Sequence, residues 1–568
     1  MNKNPPWWQN GVIYQIYPKS FQDTTGSGTG DIAGIIQRLD YLKTLGVDAI
    51  WLTPFYISPQ VDNGYDVANY TAIDPIFGTM TDFDNLVEET HRRGMRLILD
   101  MVFNHSSTQH HWFHDALDPD SPYRSYYIWR DGTPTEPPNN WQSKFGGSAW
   151  RWHPESGQYY MHLWAPEQAE LNWENDNLRA ELKQIVNFWA DRGIDGLRLD
   201  VVNLVSKHQD FPDDPNGDGL RLYTDGPRIH EYMQEMSRDV FRPRELMTVG
   251  EMSSATLEHC QRYGSLDGEE LSMVFSFDHV EVDFYNGQKW TLTPLDLVAQ
   301  KAIFTHWQQG MHNKAWNALF WCNHDQPRVV SRWGDEGQYR VQSAWMLALV
   351  LHGMQGTPYI FQGEELGMTN PHFTRILDYR DIESHNMYAE LRSQGRDSDN
   401  LLAILASKSR DNGRTPIPWN AGENGGFTSG TPWIGMCDNR ETINAEAALA
   451  DENSVFYAYQ KLIRLRKEYA ILTWGDYLDL LPEHPHLWCY CRRYGRETLV
   501  VAANFSGDTQ VWHPPAYSGQ WDVLISNYPD THVTPGEVML RPWEAVWWYQ
   551  KRGSSASLRQ QSAASGTN

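Results

Sequence analysis

Cysteine is scarce: the chain has 5 in 568 residues, at positions 260, 322, 437, 489 and 491. An odd number at irregular spacing gives neither a disulfide framework nor a zinc-site pattern, and it fits a reducing compartment. Cys489-Tyr490-Cys491 lacks the CxxC spacing of a redox pair; alternate positions on one strand face account for it. Positive charge is short too. With 47 Lys and Arg against 72 Asp and Glu, the formal net charge is -25, which argues against nucleic acid and against an anionic membrane surface as partners. No apolar run approaches the ~20 residues of a membrane span. The first residues, Met1 to Trp8, lack the apolar region of a signal peptide, so a cytoplasmic protein is expected. Nothing in the sequence sets the oligomeric state.

Core material is abundant. Hydrophobic residues make up 40% of the chain, and the length suggests two or three domains. The 26 Trp and 28 Tyr exceed what a core needs. Flat aromatic faces are what sugar rings stack on, although large packed interiors explain many of them.

A β-loop-α rhythm runs through the first hundred residues, the signature of a parallel sheet. Strands are predicted at Gly11–Tyr17, Val47–Leu52 and Arg96–Phe103, with helices at Ile32–Leu45 and Phe83–Arg93. From Ser106 to about Asn175 the chain is rich in Trp, Tyr, Pro and Gly without helical periodicity, too long for a connector. The rhythm resumes with a helix over Leu178–Trp189 and strands at Gly196–Val202, Leu246–Val249, Met273–Phe277, Ala318–Cys322 and Thr357–Phe361. Eight units predict an α/β fold with a closed (β/α)8 TIM barrel. After a helix at Val455–Lys467 only strands follow, at Leu487–Arg492, Thr498–Asn504, Trp521–Ile525 and Ala545–Tyr549. The predicted organisation is a barrel over 1–105 and 176–472, an inserted domain over 106–175, a C-terminal antiparallel β-sandwich over 473–550, and a disordered tail over 551–568.

The strand Gly196-Leu-Arg-Leu-Asp-Val-Val202 carries two opposite charges in apolar company. A self-satisfied Arg198-Asp200 ion pair is the plain explanation. The alternative is that Asp200 is a nucleophile at the strand's carboxyl end, held ionised by Arg198 on the same face. Barrel enzymes take catalytic residues from strand ends. The other ends bring Asn104-His105, Glu251 and Asn323-His324-Asp325.

Two carboxyls facing one bond are the minimum for glycoside hydrolysis. Asp200 would attack the anomeric carbon, and Glu251 would act as general acid and then base. Asp325 would stabilise an oxocarbenium-like transition state, with His105 and His324 donating hydrogen bonds to the same sugar. Singly, each residue is equally well a cap, an ion-pair member or a satisfied core group. A metal site built from the same residues is the rival, but no HExxH-type ligand pair supports it. No metal and no cofactor are expected.

Asp100-Met-Val-Phe-Asn-His105, Gly196-Leu-Arg-Leu-Asp200, Gly250-Glu251 and Asn323-His-Asp325 resemble, in order, the four motifs of the α-amylase superfamily of retaining glycosidases. Asp62-Asn-Gly-Tyr65, Asn323-His-Asp-Gln-Pro-Arg328 and Arg414-Thr-Pro narrow the resemblance to the oligo-1,6-glucosidase branch. It implies that Asp62 and Arg414 bind the terminal glucose at the blind end of the pocket, with Tyr65 stacked on it. Many members carry a calcium loop after the first strand. Here Asp23-Thr-Thr-Gly-Ser-Gly-Thr-Gly-Asp31 has Thr and Ser where Asn and Asp would ligate. Gln168-Ala-Glu-Leu-Asn172 departs from the QPDLN of α-1,6-specific members and leaves the linkage open. The RLDRD of sucrose isomerases is absent from the region after Trp290, which favours hydrolysis.

The resemblance extends over nearly the whole chain to members that cleave a small phosphorylated disaccharide. The anionic group must then meet a local cation, for which Lys289 in Asn286-Gly-Gln-Lys-Trp290 is the candidate; a solvated surface lysine is the other reading. An α-glucosidase acting on neutral oligosaccharides is the alternative. A catalytically inactive partner subunit of a transporter would lack the carboxylates and carry an anchor.

Overall fold

The computed structural model describes residues 5–514, 520–531 and 536–551. Eight parallel strands close into a barrel: β1 Ile13–Ile16, β2 Ala49–Leu52, β3 Arg96–Met101, β4 Gly196–Leu199, β5 Met247–Glu251, β6 Met273–Phe275, β7 Asn317–Leu319 and β8 Thr357–Phe361. Each pairs with its sequence neighbours, and β1 closes the ring against β8. These are the eight strands predicted from apolar runs, because parallel strands buried on both faces lose the polar-apolar alternation. Their ends differ. The fourth strand stops at Leu199, so Asp200 lies in the turn, and the seventh lies at Asn317–Leu319 rather than Ala318–Cys322.

The barrel interior is filled by side chains from alternate strands. Trp51 of β2, Phe275 of β6 and Tyr359 of β8 meet with ring centroids 4.6 to 6.1 Å apart. The fourth member of this layer is Arg198 of β4, its guanidinium 5.1 Å from the Trp51 ring. An apolar strand therefore carries an arginine because the layer's upper face is the floor of a polar site.

The predicted helix at Ile32–Leu45 is broken at Arg38 into Ile32–Gln37 and Leu39–Leu45, where Arg38 leaves helical geometry, bonds Gln22 and lies over Trp419. A hairpin of Tyr56–Ile57 with Asn69–Ile73 was not foreseen. Between β3 and β4, His105–Ser107 pairs with Gln168–Glu170, and Trp129–Asp131, Gln158–Met161 and Trp150–His153 form a three-stranded sheet. Trp141, Trp150 and Met161 of this excursion share a core with Val201, Leu204, Phe211 and Tyr223. The insertion is thus seated on the loop that leaves β4, over the carboxyl end of the barrel.

At the C-terminal end, five antiparallel strands run from Leu478–Asp479 to Ala545–Lys551, and Gln510–Trp512 pairs with Val538–Leu540. Alternation decides the two faces. Trp488, Tyr490 and Trp547 join the barrel's core, while Cys489, Cys491 and Trp548 face the two-stranded ribbon through Trp512 and Leu540. All five cysteines are buried and unpaired. The tail predicted to be disordered lies outside the described residues from 552 onward. No helix among the described residues is long and apolar enough to cross a membrane.

The loop after β1 commits its carboxylates internally. Asp23 accepts from the Thr25 and Gly28 N–H groups, both at 2.9 Å, and from the Thr428 hydroxyl at 2.6 Å. Asp31 accepts from Thr24 N–H at 2.9 Å and caps the following helix through Gly34 N–H at 2.7 Å. A hard divalent ion would have to displace these donors to collect its six to eight oxygens. EDTA should therefore leave the melting temperature unchanged in differential scanning fluorimetry; a drop of several degrees, reversed by calcium, would show that the loop reorganises around an ion.

Candidate active site

Four strand ends deliver one connected site. Register sets Arg198 directly beside Asp100 on β3, and the guanidinium donates from Nη1 to Asp100 at 3.1 Å and to Asp200 at 2.6 Å. Its Nη2 donates to Glu251 at 2.5 Å. One cation thus spans the two carboxyls that the sequence singled out, and all four groups are buried. The Arg198-Asp200 pair is real, but it is not self-contained.

The turn after β4 is held under strain. Val201 sits at φ 36°, a conformation that a β-branched residue avoids. The gain is its N–H, which points at Glu251 Oε2 at 3.2 Å. Asp200 is fixed between this turn and Arg198.

The proton affinities of the pair diverge. Burial pushes Glu251 up to about 8; Arg198 opposes the rise and neighbouring Asp200 adds to it. Asp200 is raised by burial only to about 6, because Arg198 pulls it back. At neutral pH Glu251 holds a proton and Asp200 is mostly ionised, as an acid and a nucleophile must be. Asp325 stands well below the usual carboxylate range: burial raises it, but His324, Arg410 and Arg414 together outweigh that.

The histidines are committed to protein partners. His105 Nε2 donates to the Tyr65 carbonyl at 2.9 Å, while Gln15 donates to His324 Nδ1 at 2.8 Å, which leaves His324 Nε2 facing Asp325 at 3.3 Å. Burial lowers His105 to about 4 and His324 to about 3, so both are neutral at pH 7. Tyr65 stacks flat on His324, ring centroids 5.1 Å apart, and donates its hydroxyl to Asp100 at 2.8 Å.

At the other end, Asp62 is paired with Arg410 at 2.9 Å rather than with Arg414. Arg414 instead holds Asp325 at 2.9 Å and the His324 carbonyl at 2.7 Å. Arg410 also grips Asp381 at 2.6 Å, and Gln168 donates to Asp62 at 3.0 Å. Arg410, Asp381, Gln168 and Asp100 were not assigned from sequence. Arg410 could have been, since it lies one turn before Arg414 in Ser409-Arg-Asp-Asn-Gly-Arg-Thr415. Arg414 Nη1 and the Tyr17 hydroxyl are buried without a hydrogen-bond partner among the described residues, which leaves them free to meet a polyhydroxylated ligand.

Lys289 is not a free cation. Its Nζ contacts both Glu383 oxygens at 2.8 and 3.0 Å, and Glu383 in turn lies 3.4 Å from Arg410. No cluster of three or more His, Cys, Asp or Glu that could hold a metal occurs among the described residues.

A barrel with an insertion after its third strand, a C-terminal β layer and an Asp-Arg-Glu centre is the architecture of an α-amylase-type glycoside hydrolase. The family model "Alpha amylase, catalytic domain" matches residues 15–475, and the chain belongs to that family. Over 551 residues it is 69% identical to the trehalose-6-phosphate hydrolase of Escherichia coli (strain K12), covering 97% of this chain and 100% of that one. It is 50% identical to the oligo-1,6-glucosidase of Halalkalibacterium halodurans, covering 95% and 98%. The solved trehalose-6-phosphate hydrolase of Bacillus licheniformis superposes with a TM-score of 0.93 at 52% identity, covering 96% and 100%.

Arg410 is the link between Asp62, Asp381 and Asp325, so Arg410→Ala should lower the free energy of unfolding by about 3 kcal/mol, the low end for breaking a buried ion pair, because Asp62 can take up a proton. An unchanged urea midpoint would remove Arg410 from the structural network.

Proposed function

We propose that the chain hydrolyses α,α-trehalose 6-phosphate to glucose and glucose 6-phosphate with retention of configuration. The observation that carries the chemistry is the single Arg198 guanidinium joining Asp200 and Glu251, two carboxyls with opposite protonation at neutral pH. The substrate is supported by the 69% identity to a trehalose-6-phosphate hydrolase over nearly the full chain.

Asp200 attacks C1 of the non-phosphorylated glucose while Glu251 gives its proton to the glycosidic oxygen, and glucose 6-phosphate leaves. The covalent glucosyl ester is then opened by water, whose proton goes to the Glu251 carboxylate. Asp325, fully ionised, stabilises positive charge building at C1 and the ring oxygen. Asp62, Arg414, Tyr65, His105 and His324 bound the glucose pocket. In this reading the histidines act through the protein groups they orient as much as through the sugar, since their ring nitrogens already face Tyr65, Gln15 and Asp325. Glu251 outside the pair would be a poor acid; beside an ionised Asp200 in a buried site it keeps its proton until the leaving oxygen needs it.

The test is a parallel assay on trehalose 6-phosphate, trehalose and isomaltose. Trehalose 6-phosphate should give the highest kcat/KM; a preference for isomaltose would make the chain an oligo-1,6-glucosidase. Asp200→Asn keeps the shape and the Arg198 contact, so it should remain folded while kcat/KM falls by about 10,000-fold. Proton NMR of the first-formed glucose should show the α anomer. The β anomer, or appreciable turnover by the Asn variant, would overturn the assignment of Asp200.

A further inference from the structure

We propose that a small inorganic anion of the halide class binds at the amino end of the barrel, on the buried guanidinium of Arg466, with Arg492 and His352 close by. This is the end opposite the catalytic carboxyls: Arg466 holds the carbonyl of Gly356, the last residue before β8.

Two arginines clamp one turn. Arg466, on the helix Val455–Glu468, donates from Nη2 to the carbonyls of Gln9, at 3.0 Å, and Gly356. Arg492, on the strand Leu487–Tyr494, donates to the carbonyls of Gly353, Leu472, Gly475 and Asp476. Residues 353–356 join the helix Arg340–His352 to β8. The N-terminal segment, the barrel and the C-terminal sheet therefore meet at these two side chains, which are 1% and 0% exposed.

Charge is not balanced there. Every hydrogen bond that the two arginines make among the described residues goes to a backbone carbonyl, which offers a dipole and no net charge. Burying two cations without a carboxylate in contact is costly. Burial lowers Arg466 to about 9, with Arg492 adding to the fall and Asp48 opposing it, and burial lowers Arg492 to about 10, so both are charged at pH 7. The carboxylates that act on them are engaged elsewhere. Asp48 accepts from Lys467 Nζ at 2.6 Å and from the Val12 N–H at 2.9 Å, and Asp476 accepts from the Arg493 N–H at 2.8 Å.

Donors remain to hold a counter-ion. Arg466 Nε and Nη1 are buried without a hydrogen-bond partner among the described residues, and so is His352 Nδ1. Burial, with Arg466 adding to it, lowers His352 to about 3; the neutral ring can keep its proton on Nδ1 and donate it. An anion accepting from these groups would satisfy them and offset the charge in one step. Access and size point to a small ion. A cavity of about 690 Å³ runs past Gln9, Trp474 and Tyr494: the residue whose carbonyl Arg466 holds, the neighbour of Gly475, and the residue two beyond Arg492. The guanidiniums lie behind that lining, where a halide fits more readily than a polyatomic anion.

The experiment uses the full-length protein and two readouts. Wild-type crystals grown without halide and soaked in bromide should show an anomalous scattering peak in contact with Arg466 Nε or Nη1. In differential scanning fluorimetry, exchanging gluconate for chloride at constant ionic strength should raise the wild-type melting temperature by about 2 °C more than that of Arg466→Gln. The variant supplies the baseline for general salt effects. Ordered water at Arg466 in place of a bromide peak would overturn the site, and so would an equal response of the two proteins to chloride. If Arg466→Gln does not fold, the bromide map of the wild type decides alone.

Discussion

A single buried guanidinium organises this protein's chemistry. Arg198 is the polar member of an otherwise aromatic layer inside the barrel, and it holds Asp100, Asp200 and Glu251 at once. Three carboxyls around one cation cannot all ionise at ordinary cost in a buried site. The surplus proton settles on Glu251, where burial and Asp200 act in the same direction. The electrostatic constraint that makes the core polar is thus the one that sets the proton affinity of Glu251 above that of Asp200. The rest of the local structure keeps that arrangement rigid: the strained Val201 turn, the Tyr65 hydroxyl on Asp100, and the insertion packed on the loop after β4.

Around this centre the molecule balances charge locally, although its net charge is -25. Asp62, Asp381 and Asp325 are countered by Arg410 and Arg414, and Glu383 by Lys289. Arg410 opens a 3-10 turn after the barrel's last strand and Arg414 is that turn's C-cap, and the carboxylates they hold come from loops far apart in sequence. Compensated pairs of this kind fix geometry and leave little field to attract an anion.

The barrel and the candidate carboxyls at its strand ends were legible because both depend on local patterns. Runs such as Met273-Val-Phe275 and Leu97-Ile-Leu99 are apolar throughout, as strands covered on both faces must be, and Asp200, Glu251 and Asp325 lie at or beyond strand ends. Partnerships were not legible. Asp62 and Arg410 are 348 residues apart, Lys289 and Glu383 are 94 apart, and Lys144 and Ser253 are 109 apart; only the closed barrel and its seated insertion bring them together. For the same reason Arg414 was singled out from the sequence at the blind end of the pocket, while Arg410, which holds Asp62, was not. The Tyr56–Ile57 hairpin was missed because two residues are too few for periodicity to register.

The central claim is that Glu251, and not Asp200, carries the proton at neutral pH. Infrared difference spectroscopy at pH 7 tests it directly. Subtracting the spectrum of Glu251→Gln from that of the wild type should leave the carbonyl stretch of a protonated carboxylic acid, whereas subtracting that of Asp200→Asn should leave the bands of an ionised carboxylate. A protonated-acid band that vanishes with Asp200 and survives the loss of Glu251 would contradict the account.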